Sequence, residues 1–326
     1  MSLSESEVGT SASPHGHQAA PDLSHVGSRV SMRLREPSGG YRDILGILER
    51  PSAIRRRSGA LIEFNPDDIW AWRLVPKVIP KAGTGAPFSM RVQELEQAIE
   101  ATWPASEITD QAGWRFRSNG GVTNRANSIR PIGLPPYGLT EMELDEAIEL
   151  ALQYYRARAL PPVFHISLPH FQDLDTYLEK LNWQITIESH VMVADTEDIP
   201  IIELANFDLH IWESPVAAWA QVQGVNLSLE IMARYPSTYV GLAKDGLVVG
   251  VGRISQYEDW AIITRLFVLP EYRGQGIGAA LMSALVQQID VKKLALQVTT
   301  DNAAAIALYQ RLKFRVHHNY RYRAMK

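Results

Sequence analysis

The sequence Leu266-Phe-Val-Leu-Pro-Glu-Tyr-Arg-Gly-Gln-Gly-Ile-Gly278 decides the fold, because it combines a strand pattern with a glycine-rich turn. Residues 262–269 are mostly β-branched or apolar and end at Pro270, which predicts a strand. The following residues have the apolar spacing of a helix, at Ile277, Ala280, Leu281, Ala284 and Leu285. Glycines at the N-terminus of a helix leave backbone amides open to an anion such as a pyrophosphate.

The spacing of the glycines separates this turn from other phosphate-binding motifs. The sequence has no Gly-x-x-x-x-Gly-Lys-Ser/Thr, and Ala279 or Leu281 stands where a dinucleotide fingerprint needs its third glycine. The pattern that fits is Arg-x-x-Gly-x-Gly, which resembles the GCN5-related N-acetyltransferases. The resemblance implies that acetyl-CoA is bound by Leu266, Phe267, Val268, Arg273, Gly274, Gln275, Gly276, Ile277, Gly278 and Asn302.

The resemblance extends to the end of the chain. Residues 294–299 resemble the next strand of the family, and Asp301-Asn302 resembles the cap of its next helix. Residues 308–314 resemble the Leu-Tyr-x-x-x-Gly-Phe ending of the family, with Lys313 in place of the glycine. The match makes Tyr309 the expected general acid, because a phenol can protonate a leaving thiolate. The alternative is that Tyr309 is only a packed aromatic residue.

Length and composition predict a multidomain globular protein. A chain of 326 residues exceeds one ordinary core, and its apolar content of 46% and charged content of 21% are those of globular proteins. It has no cysteine, which excludes disulfides and thiolate metal sites. We expect no metal. The net charge of −4, with no signal pattern or long apolar run, predicts a cytoplasmic protein that binds neither nucleic acid nor membranes.

The N-terminal region predicts a tail followed by a small barrel. Residues 1–26 have the composition of a disordered segment. Residues 27–80 contain short alternating segments and resemble the SH3-like β-barrel that precedes some actinobacterial acetyltransferases. Three arginines at 55–57 beside Trp70 and Trp72 could be read as an RNA-binding patch, but a solvated turn explains them more simply.

The rest of the chain predicts a tandem α/β fold. Residues 88–198 repeat the order of 199–326: a Leu-Pro-x-Tyr segment, an amphipathic helix, an apolar strand and a closing helix. The first copy has Thr140-x-x-Glu143 in place of the glycines, which predicts a capping box, and Leu178 in place of Tyr309. We therefore expect a degenerate first half and an acetyl-CoA-binding, catalytic second half.

The sequence defines the general base and the acceptor site less clearly than the acetyl-CoA site. Many relatives have a Glu on the strand before the glycine turn, where this chain has no acidic residue, so Glu258 in the preceding hairpin turn is the candidate base. Arginine side chains suit carboxylate binding. Arg253 and Arg265, together with Arg125 of the first half, are therefore candidates to bind the acceptor substrate. Solvated strand faces are the simpler alternative for these arginines.

The expected activity is transfer of acetyl from acetyl-CoA to a small-molecule primary amine. The chain resembles actinobacterial two-half acetyltransferases, some described as N-acetylglutamate synthases of arginine biosynthesis, so the resemblance implies an amino acid such as glutamate as acceptor. One alternative is a protein-lysine or polyamine acetyltransferase. An alternative of another class is a regulatory protein that binds acetyl-CoA as a ligand and RNA or a protein through its barrel.

Overall fold

The computed structural model describes residues 20–37, 39–56, 60–74, 88–140, 142–224 and 229–325. The chain divides into two compact units, Met1–Lys81 and Ala82–Lys326. The helices of the described residues are α1 Phe88–Ala101, α2 Leu144–Arg156, α3 Gln172–Lys180, α4 Ala217–Gln223, α5 Leu229–Ala233, α6 Ile277–Val286 and α7 Ala303–Arg311. The strands are β1 Arg29–Arg35, β2 Tyr41–Arg50, β3 Ala53–Arg55, β4 Leu61–Glu63, β5 Ile69–Leu74, β6 Glu107–Gln111, β7 Trp114–Ser118, β8 Ile129–Pro131, β9 Val163–Leu168, β10 Gln184–Asp195, β11 Asp208–Trp212, β12 Thr238–Lys244, β13 Leu247–Tyr257, β14 Trp260–Val268, β15 Lys293–Thr299 and β16 Arg315–Ala324.

The first unit contains an antiparallel sheet with the strand order β4-β3-β2-β1-β5. Alternation along β1 and β2 puts apolar side chains on one face, where Val30, Met32 and Leu34 are buried. Within the described ranges β4 and β5 are the two edges and do not pair, so barrel closure is not shown. Much of the expected disordered tail, residues 1–19, lies outside the described residues, whereas Leu23–His25 form one turn of 3-10 helix.

The second unit is built on one mixed sheet of 11 strands, with the order β11-β12-β13-β14-β15-β10-β16-β9-β8-β7-β6. The predicted strand and helix around the glycine turn are β14 and α6. Helix α6 connects the parallel strands β14 and β15 and packs on the sheet. All five residues of its predicted stripe are buried, and so are Met282 and Ser283, because α6 lies inside a large apolar cluster.

The strand order of the second unit is that of a duplicated fold. Strands β6 to β10 and β12 to β16 occupy equivalent positions on the two sides of a centre between β10 and β16. The last strands of the two halves are exchanged: β10 pairs with β15 of the other half, and β16 pairs with β9. The predicted boundary between residues 198 and 199 therefore follows a strand that belongs to the sheet of the second half.

Two turns repeat between the halves. The β6–β7 turn at Ala112-Gly113 has φ of 51° and 83°, and the β12–β13 turn at Asp245-Gly246 has φ of 51° and 80°. The closing helices also end alike, since Asn182 has φ of 63° and Lys313 has φ of 65°. Lys313 thus adopts the conformation that a glycine would provide, and the family's turn is kept despite the substitution.

Candidate active site

The glycine turn forms an open cradle at the N-terminus of α6. Gly274 and Gly276 have φ of 78° and 81°, a region that favours glycine, and Gly276 is the N-cap of the helix. In the described structure none of the amides of residues 274–278 donates a hydrogen bond, and the first turn of α6 contains no acidic residue. Free amides at the positive end of the helix dipole suit the pyrophosphate of acetyl-CoA.

The strand before the cradle has a free edge. Strand β14 pairs with β15 only from Trp260 to Ile263, whereas its pairing with β13 extends to Val268. The register shifts beside Thr264, and Arg265 has φ of 58°. The backbone of Leu266–Val268 therefore faces no partner on the β15 side among the described strands, which fits the expected role of binding pantetheine amides.

Two other residues expected to bind acetyl-CoA have contacts of their own. The Arg273 Nε donates to the carbonyl of Val268 at 3.1 Å, and its guanidinium lies 5.6 Å from the ring of Phe267. This anchors the side chain and leaves its terminal nitrogens exposed at the cradle. Asn302 is the N-cap of α7, as predicted, and its Oδ1 accepts from the amide of Ala305 at 3.1 Å.

The corresponding turn of the first half differs, and the capping-box prediction was wrong. Helix α2 begins at Leu144, so that Glu143 is itself the N-cap and makes no capping hydrogen bond. Thr140 is held elsewhere, because its amide donates to the carbonyl of Ala112 at 3.0 Å. The first turn of α2 carries Asp145 and Glu146 in addition, which repel an anion.

A cavity of about 320 Å³ lies where β14 and β15 diverge. It is lined by Trp103, Thr123, Asn124, Arg125, Ile187, Ser189, Ile263, Thr264, Arg265, Gln297, Thr299, Tyr320 and Tyr322. Residues from both halves contribute, because the exchanged strands β10 and β16 run through its wall and the β7–β8 connection closes one side. No Asp, Glu or His is found among these described lining residues.

Three arginines surround the buried indole of Trp103 beside this cavity. The guanidinium carbons of Arg125, Arg253 and Arg265 lie 5.4, 5.3 and 5.2 Å from its ring. None of the three forms an ion pair with a carboxylate of the described residues, whereas Arg117 and Arg130 of the first half both do. The three arginines expected to bind the acceptor thus form one cationic group, which has no counter-ion among the described residues.

The three arginines have different surroundings. Arg253 is fully buried, where its Nη2 donates to the carbonyl of Thr102 at 3.0 Å and its Nη1 to the hydroxyl of Thr264 at 3.2 Å. It supports the wall of the cavity without lining it. Arg265 lines the cavity, and burial, followed by the charges of Arg125 and Arg253, lowers its pKa to about 10. A bound anion would relieve this repulsion.

The two candidate catalytic groups lie apart from the cavity wall. Tyr309 packs in the apolar cluster of α6 and α7, with its ring 5.9 Å from that of Phe314, and burial raises its pKa to about 12. Glu258 lies in the β13–β14 turn with φ of 49° and does not line the cavity. Strand spacing places it on the order of 15 Å from Ile263 at the cavity.

Sequence reasoning missed most of the cavity wall. Trp103 follows α1 and Gln297 lies on β15, and neither stands in a local motif. Both amide atoms of Gln297 are buried without a hydrogen-bond partner, and so is the Nε of Arg125. Only the fold brings these residues together. The one sequence feature that could have indicated the site is a polar residue, Gln297, on an otherwise apolar strand.

The family match and the relative that follow show that the chain is a GCN5-related N-acetyltransferase, an enzyme class that uses acetyl-CoA. Residues 90–323 match the family described as "Probable histone acetyltransferase Rv0428c C-terminal", and the chain belongs to this family. A relative in Bacillus subtilis (strain 168), the uncharacterized N-acetyltransferase YobR, is 26% identical over 239 residues, which cover 68% of this chain and 94% of YobR.

Solved structures show the same fold. A GCN5-related N-acetyltransferase from Kribbella flavida matches with a TM-score of 0.59 and 15% identity, over 71% of this chain and 94% of that one. A tandem protein of the superfamily, from the clavulanic acid biosynthesis pathway, matches with a TM-score of 0.50 and 14% identity, over 74% and 89%. The second likeness agrees with the duplicated sheet.

The described residues contain no group of three or more His, Cys, Asp or Glu side chains placed to hold a metal ion. No helix in the same part of the chain is both long enough and apolar enough to cross a bilayer.

Proposed function

We propose that the enzyme transfers acetyl to the amino group of a small acidic amino acid, with glutamate as the first choice. The observation that carries the proposal is the group of Arg125, Arg253 and Arg265 around Trp103, which has no carboxylate partner in the described structure. Buried charges are costly unless paired, so an unneutralised group beside an open cavity indicates an anionic ligand.

The arrangement suits carboxylates in particular. A guanidinium presents parallel N–H donors that match a carboxylate in two-pronged geometry. Arg125 and Arg265 line the cavity and are the expected contacts, while Arg253 fixes Trp103 and Thr264 from behind. An acceptor with a carboxylate would gain hydrogen bonds here, and a purely cationic amine would be repelled.

The residues of the chain divide the work of the transfer. Acetyl-CoA, when bound, supplies the acetyl group as a thioester. The cradle would hold its pyrophosphate, and the free edge of β14 would align its pantetheine arm toward the cavity. The neutral acceptor amine forms the new C–N bond, the C–S bond breaks, and we propose that Tyr309 gives its proton to the thiolate and regains one from the amine. At a pKa of about 12 Tyr309 stays protonated near neutrality, as a donor must.

Electrostatics can replace a strong base in this cavity. A free α-amino group has a pKa of about 7.7–8.0, so part of it is neutral at pH 7. Nearby guanidinium charges disfavour the ammonium form further. The distance of Glu258 from the cavity makes it the weaker candidate for this role.

The rival acceptor is an amine on a protein, because the matching family carries the description of a probable histone acetyltransferase. A basic histone segment would bring more positive charge to a cavity that already holds Arg125 and Arg265. The charge of the cavity therefore favours the acidic amino acid over the lysine side chain.

The remaining proposals concern the rest of the chain and its setting. The acidic residues in the first turn of α2 support the proposal that the first half does not bind acetyl-CoA. The alternation of β1 and β2 is compatible with an SH3-like module in the first unit. Synthesis of N-acetylglutamate in the cytoplasm, for arginine biosynthesis, is the setting that this activity would fit.

Release of free thiol from acetyl-CoA tests the proposed function. The purified full chain is assayed with each amino acid, with polyamines and with a histone-tail peptide. We expect acidic amino acids to give the fastest release. Fastest release with the peptide or a polyamine would overturn the acceptor assignment and leave the acetyltransferase class intact.

A further inference from the structure

Gln297 lines the cavity and carries an amide that makes no hydrogen bond. It follows Leu296, the last residue of β15 that pairs with β14, so it stands at the point of divergence. Its Nε2 and Oε1 are both buried and neither has a hydrogen-bond partner. Burying an amide without partners is unfavourable, which indicates that a ligand completes the site.

The amide differs in kind from the guanidiniums of the cavity wall. The charged side chains of the cavity are guanidiniums, which donate hydrogen bonds and cannot accept them. An amino group that must attack the acyl carbon needs a neutral acceptor nearby to orient its lone pair. Among the described lining residues, Gln297 has the buried carbonyl oxygen that is left without a donor.

We propose that Gln297 recognises the α-amino acid group of the acceptor. Its Oε1 accepts from the amino group, and its Nε2 donates to the α-carboxylate, so that the side-by-side acceptor and donor of the amide match the two groups on one α-carbon. The side-chain carboxylate is left to Arg125 and Arg265. This inference rests on the proposed function and narrows its acceptor to a free α-amino acid, in place of an amine that has no α-carboxylate.

Three compounds separate the groups that Gln297 contacts. L-Glutamate has the complete set, 4-aminobutyrate lacks the α-carboxylate, and glutarate lacks the amino group. The test compares the parent with Gln297→Met, which keeps the length of the side chain and removes the amide. Gln297→Asn keeps an amide but withdraws it, and Gln184→Met, at the exposed start of β10, is the matched control outside the cavity.

We expect Gln297→Met to lower kcat/KM for glutamate roughly tenfold or more, as befits two lost hydrogen bonds. The inhibition constant of glutarate should rise much less, because glutarate presents no amino group. The parent should prefer glutamate to 4-aminobutyrate, and Gln297→Met should narrow that preference. Gln297→Asn should show the same pattern. Gln184→Met should change none of these values by more than about twofold, because the exposed side chain of Gln184 lies outside the cavity wall.

The outcomes distinguish this inference from the proposed function. An equal loss for glutamate and glutarate, or an unchanged preference over 4-aminobutyrate, would overturn the role of Gln297 and leave the acidic acceptor in place. A parent enzyme that acetylates no acidic amino acid would overturn both. Acetyl-CoA affinity by calorimetry shows that each variant is folded, because the cradle lies outside the cavity wall.

Discussion

Two groups of arginines in the duplicated sheet have opposite surroundings. In the first half, Glu100 of α1 is within 2.8 Å of Arg115 and 2.7 Å of Arg130, and it also reaches Arg117 at 3.5 Å. Around Trp103, Arg125, Arg253 and Arg265 meet no carboxylate of the described chain. The same residue type is therefore neutralised around Glu100 and left without a counter-charge around Trp103.

The difference separates a structural group of ion pairs from the proposed acceptor site. Burial opposes ionisation of Glu100, yet Arg130, Arg117 and Arg115 lower its pKa to about 2, so it stays charged and satisfies its partners. Arg265 experiences only burial and like charges, and its pKa falls to about 10. A protein that keeps such a cluster unneutralised has room for a ligand that completes it.

The largest effect is expected where the halves differ by one side chain in the same motif. Tyr309 and Leu178 each precede the closing aromatic residue by five positions, and their carbonyls accept from Phe314 and Trp183 at 2.9 and 3.0 Å. Tyr309→Phe should lower the turnover number about a hundredfold with little change in acetyl-CoA affinity, because an acid acts in the transition state. Steady-state kinetics decide this, and turnover within twofold of the parent would give Tyr309 the packing role of Leu178.

The ion pairs of Glu100 in the first half predict a large loss of stability when its charge is removed. Glu100→Gln leaves buried guanidiniums without a partner and should lower the free energy of unfolding by about 3 kcal/mol at pH 7. The folded pKa of Glu100 lies below the unfolded one, so its contribution is complete above about pH 5 and is lost as the pH falls toward 2. Denaturant unfolding at several pH values should show the two proteins converging in acid. A constant difference would mean that the charge of Glu100 is not the cause.

The cradle can be made to resemble the acidic helix start of the first half. Gly278→Glu should weaken acetyl-CoA binding roughly tenfold to a hundredfold, through repulsion and loss of a charge-assisted hydrogen bond. A Cβ at this position comes 2.9 Å from the Leu308 Cδ2, so Gly278→Ala and Gly278→Gln measure the steric part. Calorimetric titration compares the three. Equal losses for Glu and Gln would assign the effect to shape alone.

A smaller effect, on the apparent KM for glutamate, is expected when an arginine without a carboxylate partner is replaced and compared with a paired one. Arg265→Gln should raise the apparent KM for glutamate about tenfold while leaving that for acetyl-CoA nearly unchanged, because it removes a partly desolvated partner of a carboxylate. Arg115→Gln is the matched control, since Arg115 pairs with Glu100 and Asp110. It should lower stability and leave both KM values alone. A similar KM change in both variants would contradict the proposed difference between the arginines around Trp103 and those around Glu100.

The smallest effect should come from restoring a glycine in the first half. Glu143→Gly removes the N-cap carboxylate of α2, but Asp145 and Glu146 remain in the first turn. We expect acetyl-CoA to bind with the parent's stoichiometry of one per chain. A stoichiometry of two in calorimetry would show that the first half had lost its site through this residue only.

The sequence predicted the local features well and the assembled site only in part. β14 and α6 follow from patterns within a few residues, and the structure confirms them. The capping box failed because a hydrogen bond from Thr140 to Ala112, far along the chain, outweighed the local motif. The three arginines were selected by their chemistry, but their meeting at Trp103 depends on long-range packing that no local pattern encodes.

The exchange of β10 and β16 has a consequence for how the molecule behaves on dilution. Two separate chains that traded their last strands would come apart as their concentration fell, because their stability would depend on mass action. Here the partners are joined covalently, so the exchange persists at any concentration and the two halves should lose structure in one cooperative step. A fragment of residues 199–326 would lack β10, and the open edges of β15 and β16 would recruit a strand from another copy. The first half is thus a permanent structural partner of the second.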